Sequence, residues 1–293
     1  MSVAVITGSG IYALPGLEDG CERLVPTAFG TIELSTGCIA GVDVVHVSRH
    51  GDGHPRLSHQ VNHRGNVAAL SELGVSCAIG LATCGGVDPE AEAGDLLLFD
   101  DLYFPSNRLP DGSACTLHVD AGDAARAHWM FERPFSDGLR RALRDAIEGE
   151  GRRLRYGGCY GHVDGPRFNT RTEIRALRAL GVTAVGQTAG PETVLCGEAG
   201  IPYALLGCSI GRANGAAPQS MPALMDNIGS SAGLFGALVP RLVLAASRAD
   251  SDPPGVNHGF DARPDLYSAD PTFARSTAAP RIASSESASQ ARK

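Results

Sequence analysis

Apolar positions along this chain follow two rhythms. Short apolar runs bounded by small or polar residues lie at 3–7, 44–47, 77–82, 96–99, 184–186 and 203–208, and predict buried strands. Between them, residues 62–73, 136–150, 172–180 and 191–199 read as helices. Strands alternating with helices imply an α/β fold, a single domain with a central mixed sheet flanked by helices. No apolar run approaches the roughly 20 residues that cross a bilayer, so no membrane contact is expected. Near residue 249 the pattern stops. Residues 250–293 are rich in Asp, Pro, Ser, Ala and Arg, which predicts a domain over 1–248 and a disordered tail over 249–293.

Composition narrows the chemistry. A net charge of −7 argues against a surface for nucleic acid. The start MSVAVITGSG has no basic stretch, so no secretory leader is expected. Eight scattered cysteines with no CxxC pair exclude a zinc ribbon or thioredoxin-like motif and suit free thiols in the cytoplasm. The only lysine is Lys293, which removes Walker A, Schiff-base and kinase-type lysines from consideration. Any phosphate must be held by arginine, histidine, hydroxyls and backbone N–H groups.

Candidate residues gather where strands end. The first strand runs into Gly8-Ser9-Gly10, where glycines let backbone approach an anion and Ser9 adds a hydroxyl. The same stretch loosely fits a dinucleotide fingerprint, but Pro15 and Gly16 interrupt the helix that fingerprint needs. After the second strand come Arg49 and His50, suited to a bidentate clamp and a further donated bond on a phosphate dianion. His50 and His54 together could suggest a metal, yet no HExxH motif or carboxylate cluster supports one, and no metal or organic cofactor is expected. Three more small-residue turns follow, at 80–86, 161–170 and 185–192.

Taken in order, these landmarks resemble the trimeric nucleoside phosphorylases, in the methylthioadenosine and purine nucleoside phosphorylase branch. They are GSG at 8–10, RHG at 49–51, VNHRGN at 61–66, ATCGG at 82–86, AGD at 93–95, GPRF at 165–168 and QTAGPE at 187–192. The likeness runs from about residue 3 to about residue 248. It implies a phosphate site of Ser9, Arg49, His50, Thr83 and Thr188 with the backbone of Ala82, and catalytic roles for Arg49, His50 and Thr188. It also implies a ring at Phe168 against base or sugar, with Cys84, Gly85 and Asn169 lining the nucleoside. His128 falls in a segment that a trimer neighbour supplies to the sugar's 5′ side. The implied reaction cleaves a nucleoside with inorganic phosphate as co-substrate, in a cytoplasmic homotrimer. A hydrolytic nucleosidase and a non-catalytic nucleoside binder are the alternatives, and Arg49 and His50 speak against hydrolysis.

The base site departs from the family. Gly211 stands where relatives carry Asn or Asp, and Gln187 replaces the usual methionine. Gln187, Arg212 and Asn214 offer donors suited to carbonyl-bearing bases, either a 6-oxopurine or a uracil. Gln187 can equally be a buried amide satisfied by backbone. Met221, Leu224 and Met225 suggest tolerance of a 5′-modified sugar, and ordinary helix packing explains them as well.

Overall fold

The computed structural model describes residues 1–120, 126–148, 153–214, 216 and 220–259. Its elements follow in the order β1 (Ser2–Thr7), β2 (Glu18–Thr27), β3 (Gly30–Ile39), β4 (Val42–Ser48), α1 (His63–Glu72), β5 (Cys77–Gly86), β6 (Leu96–Leu98), β7 (Asp101–Tyr103), β8 (Ala127–Phe131) and α2 (Asp137–Ile147). Then come β9 (Leu154–Tyr156), β10 (Cys159–His162), α3 (Arg171–Ala179), β11 (Val182–Gly186), α4 (Ala189–Glu198), β12 (Tyr203–Arg212), α5 (Met221–Ser247) and β13 (Gly255–Gly259).

Eleven strands form one mixed sheet in the order β2-β3-β4-β1-β5-β11-β10-β7, with β12, β6 and β9 branching from β5. β1, β4, β5 and β12 run parallel, while β11 meets the far end of β5 antiparallel. Alternation along β1 explains why this region is central. Val3 and Val5 enter one buried cluster with Ile79, Leu81, Leu139 and Leu143, and Ala4 and Ile6 enter another with Val45, Val47 and Ala78. A strand covered on both faces is a near-continuous apolar run, as VAVI is here. Each large apolar side chain so buried contributes about 1.5–3 kcal/mol.

All four expected helices form, each placed by its own chemistry. Asn62 caps α1 through Gly65 N–H, Ser136 caps α2 through Leu139 N–H, and Thr170 and Glu173 close a capping box on α3. The last two residues of the expected 136–150 helix lie outside the described residues.

Three expectations change, and two elements were not foreseen. The segment Ala82–Gly86 is not a turn: β5 runs through it, pairing Gly85 and Gly86 with Val185 and Ala184. The hairpin of β2 and β3 went unpredicted because much of it is exposed, without a clear apolar alternation. α5 also went unpredicted, since Gly229, Gly233, Gly236 and Pro240 interrupt its periodicity. By length and composition α5 could cross a membrane, contrary to the expectation that no such run exists. Here Phe235, Leu238, Val239, Leu242 and Val243 on its inner face join the core cluster beside β1 and α2. Finally, the tail begins with order: β13 pairs antiparallel with β8, and residues 260–293 lie outside the described residues.

Candidate active site

The register of the parallel strands brings distant segments to one edge. Thr7 of β1 lies opposite Ser48 of β4, and Ile6 opposite Gly80 of β5, so Gly8-Ser9, Arg49-His50 and Ala82-Thr83 converge. Thr7 holds the first turn. Its hydroxyl donates to Ile11 O at 2.8 Å and lies 2.7 Å from His46 Nε2. Burial first, then Arg49, holds the His46 imidazole down at about 4, so it is neutral and its Nε2–H donates to Thr7.

A pocket of about 340 Å³ opens on this edge. Ser9, Arg49, His50, Ala82, Thr83 and Thr188 are among its lining residues. So are Gly85, Phe168, Asn169, Gln187, Arg212 and Asn214, with Met221, Leu224 and Ile228 of α5 adding apolar surface. Four expected residues do not line it. Cys84 points into the core, 1% exposed, because neighbouring residues of a strand face opposite ways. Gly211 sits at φ +107 behind the lining residues Ile210 and Arg212. His128 lies on β8 and the exposed Met225 on α5, and neither is among the pocket's lining residues.

Arg49 corrects a simpler expectation. Its fork was expected to clamp phosphate, but a buried cation needs a counter-charge, and Glu192 supplies it. Arg49 Nε donates to Glu192 Oε1 at 2.5 Å and Nη2 to Oε2 at 2.7 Å, while Nη1 donates to Leu81 O at 2.6 Å. Both side chains are about fully buried, and Tyr203 adds a hydroxyl bond to Glu192 at 2.9 Å. Burial would lower the Arg49 pKa, but Glu192 outweighs it and the guanidinium is held charged. Burial likewise opposes the Glu192 charge, and Arg49 pulls its carboxyl below the usual range. Three of the five guanidinium protons are thus committed, leaving one each on Nη1 and Nη2. A Cβ at Gly8 would lie 3.2 Å from Nη1, so the missing side chain there keeps that N–H open to the pocket.

His50 is fixed as firmly. Its Nδ1 lies 2.8 Å from Arg56 O, and its ring stacks on His54 at 4.1 Å with 9° between planes. Tyr12 in turn holds His54, its hydroxyl 3.1 Å from Nδ1. Burial, partly offset by the Arg56 bond, lowers the His50 pKa to about 4. Thr188 is the N-cap of α4, yet its side chain makes no capping bond, so the hydroxyl is left to the pocket beside a helix N-terminus that favours anions.

On the nucleoside side the polar groups are partly engaged. Gln187 accepts from Ser58 Oγ at 2.8 Å and donates to Arg167 O at 3.2 Å, which ties the expected base reader to its surroundings. Arg212 Nη1 donates to Pro89 O at 2.6 Å, and Asn214 Nδ2 to Asn169 O at 3.0 Å. Phe168 is 58% exposed, its ring part of the pocket wall. Among the described lining residues there is no Asp or Glu.

Sequence reasoning gave no role to Glu192, Tyr12 or Ser58, and weighed His54 only as a metal ligand, whereas it stacks on His50. For Glu192 a signal existed: a lone carboxylate inside the small, apolar stretch AGPETVLCG must bury a charge, and Arg49 follows an equally apolar strand.

Comparison with known proteins agrees with this architecture. The family model described as Phosphorylase superfamily matches residues 2–244. The Probable 6-oxopurine nucleoside phosphorylase of Thermococcus kodakarensis is 32% identical over 229 residues, covering 75% of this chain and 82% of that protein. The Probable S-methyl-5′-thioinosine phosphorylase of Xylella fastidiosa is 32% identical over 250 residues, covering 85% and 98%. Methylthioadenosine phosphorylase from Schistosoma mansoni in complex with adenine superposes with a TM-score of 0.76 at 23% identity, covering 85% and 93%, a likeness of fold. With the strand-edge pocket, the ordered motifs and these matches together, the chain belongs to the phosphorylase superfamily, in its purine nucleoside and methylthioadenosine phosphorylase branch.

Proposed function

We infer that this protein is a nucleoside phosphorylase acting on 6-oxopurine nucleosides, including those with a modified 5′ position. The observation that carries this reading is one pocket lined both by Arg49, Ser9, Thr83 and Thr188 and by Phe168, Asn169 and Gln187, with no carboxylate among the described lining residues. Phosphate seated against Ser9, Thr83, Thr188 and the open N–H groups of Arg49 lies beneath the sugar. As the C1′–N bond breaks, its electrons pass to the base and positive charge grows on the ribose. The phosphate stabilises that charge, and one of its oxygens forms the new bond to C1′. The departing base takes up a proton, balanced by the one that monohydrogen phosphate loses as it becomes an ester, so the products are free base and a ribose 1-phosphate.

The base assignment rests on what the pocket offers. An aminopurine leaving group calls for a carboxylate to meet its N7 proton, and none is present among the described lining residues. Gln187 keeps one amide N–H after its bond to Arg167 O, matched to a carbonyl at the purine 6-position. The side chains of Met221, Leu224 and Ile228 favour an apolar 5′ substituent. A homotrimer, with His128 of one subunit completing the 5′ side of its neighbour's pocket, belongs to the same reading. Light scattering that found only monomers, fully active on dilution, would reject the trimer.

A substrate panel with phosphate tests the function: inosine, guanosine, adenosine, uridine and their 5′-deoxy or 5′-methylthio analogues. The expected order places 5′-modified and plain 6-oxopurine nucleosides ahead of methylthioadenosine by roughly tenfold or more, the loss of one buried directed bond. If methylthioadenosine is cleaved faster than every oxo-base nucleoside, the base reading is wrong. If base is released equally well without phosphate, the protein is a hydrolase instead.

A further inference from the structure

The anion end of the pocket carries almost no net charge. Glu192 neutralises Arg49, and burial keeps His50 neutral at neutral pH. Discrimination among tetrahedral anions therefore falls to the match of donors and acceptors. Most groups there donate: the open N–H groups of Arg49 and the hydroxyls of Ser9, Thr83 and Thr188.

His50 is different. A carbonyl can only accept, so the 2.8 Å contact with Arg56 O puts the proton of the neutral ring on Nδ1 and leaves Nε2 a lone pair. The loop around this bond is closed twice, because Arg56 N–H donates back to His50 O at 3.1 Å. Stacking against His54, itself held by Tyr12, opposes a ring flip. Nε2 lies beside the pocket-lining Gly8: a Cβ at Gly8 would sit 3.9 Å from it and 3.2 Å from Arg49 Nη1. One fixed acceptor thus stands among the donors.

We propose that His50 Nε2 accepts a hydrogen bond from a protonated oxygen of the anion, making the site selective for oxyanions that retain a proton at neutral pH, phosphate and arsenate, over sulfate, which retains none. The proposal rests on the phosphorylase reading above. Phosphate turns its P–OH toward Nε2 and satisfies both partners. Sulfate can only set an oxygen lone pair against the nitrogen lone pair, leaving a buried acceptor unmet.

Calorimetric titration of the full chain with phosphate, arsenate and sulfate, at neutral pH and matched ionic strength, tests this. Phosphate and arsenate should bind within about threefold of each other, and sulfate weaker by roughly 10- to 100-fold. In His50→Asn the amide can turn an N–H into the pocket, and the phosphate-to-sulfate gap should shrink below about threefold. Sulfate matching phosphate on the wild-type protein, with phosphate-dependent base release intact, overturns the proposal and leaves the phosphorylase reading standing. A gap unchanged in His50→Asn overturns the assignment to His50. Failure of phosphate both to bind and to promote base release overturns the two together. The wild-type comparison decides the selectivity even if the variant does not fold.

Discussion

Replacing Glu192 by glutamine preserves the shape of the side chain and removes its charge. In the native site the carboxylate takes two bonds from Arg49, at 2.5 and 2.7 Å, and one from the Tyr203 hydroxyl at 2.9 Å. Glutamine keeps one acceptor and turns an NH₂ toward groups that already donate. Arg49, 1% exposed, is left as a buried cation without a counter-charge. Breaking such a pair from one side costs about 3–5 kcal/mol, which for a chain of this size lowers Tm by about 6–20 °C. Phosphate would then act as the replacement counter-ion. The rise in Tm on adding saturating phosphate should accordingly be larger in the variant than in the wild type, because a ligand stabilises in proportion to its affinity for the folded state. Thermal melts of both proteins, with and without phosphate, measure the two effects directly. A variant that melts within about 2 °C of wild type would show that this pair does not hold Arg49. A variant that phosphate stabilises no more than wild type would show that the cation does not face the anion site.

Arg49→Ala should lower kcat/KM for phosphorolysis by roughly 10²- to 10³-fold, as lost anion-stabilising donors do, and should also lower Tm by stranding Glu192; steady-state kinetics beside a melt checks both, and unchanged stability would refute the buried pairing. Burial holds His46 and His63 near 4 and His162 near 3, so each is neutral when folded but takes a proton when unfolded, at about 6.5. Stability should therefore be full above about 6.5 and fall as pH drops toward 4, by about 1.4 kcal/mol per pH unit for each histidine, and a Tm that stays flat over this range contradicts it. Leu224→Asp should cost 5′-deoxy or 5′-methylthio nucleosides about tenfold or more in kcat/KM while sparing the parent ribosides, by removing apolar contact at the 5′ end; equal losses on both would place Leu224 elsewhere. Gly165→Ala would drive a Cβ into Gln187 Oε1 and set it 2.6 Å from Ser58 Oγ, so it should raise KM for the nucleoside more than KM for phosphate; a phosphate-only effect argues against Gln187 at the base.

Local pattern was enough to read the strands at 3–7 and 77–82, the helices capped by Asn62, Ser136 and Thr170, and the ordered motifs that place Ser9, Arg49, His50, Thr83 and Thr188 together. Those features depend on neighbours in sequence: side-chain alternation, capping hydroxyls, glycines at strand ends. The hairpin of β2 and β3 and the helix α5 escaped, because exposed strands lose their alternation and small residues dilute a helical stripe. Tertiary structure alone decided what the site residues do. Arg49 and Glu192 are 143 positions apart, and only the fold shows that one edge of the arginine's fork is already taken by a carboxylate. Position 211 reads as a missing base contact in sequence, yet its φ of +107 marks a backbone path that an aspartate would strain. The role of His50 turns on which carbonyl its Nδ1 meets, six residues on at Arg56. Motifs name the groups that reach a site, but the direction of a proton or the partner of a charge is set by three-dimensional contacts that no spacing in the chain encodes.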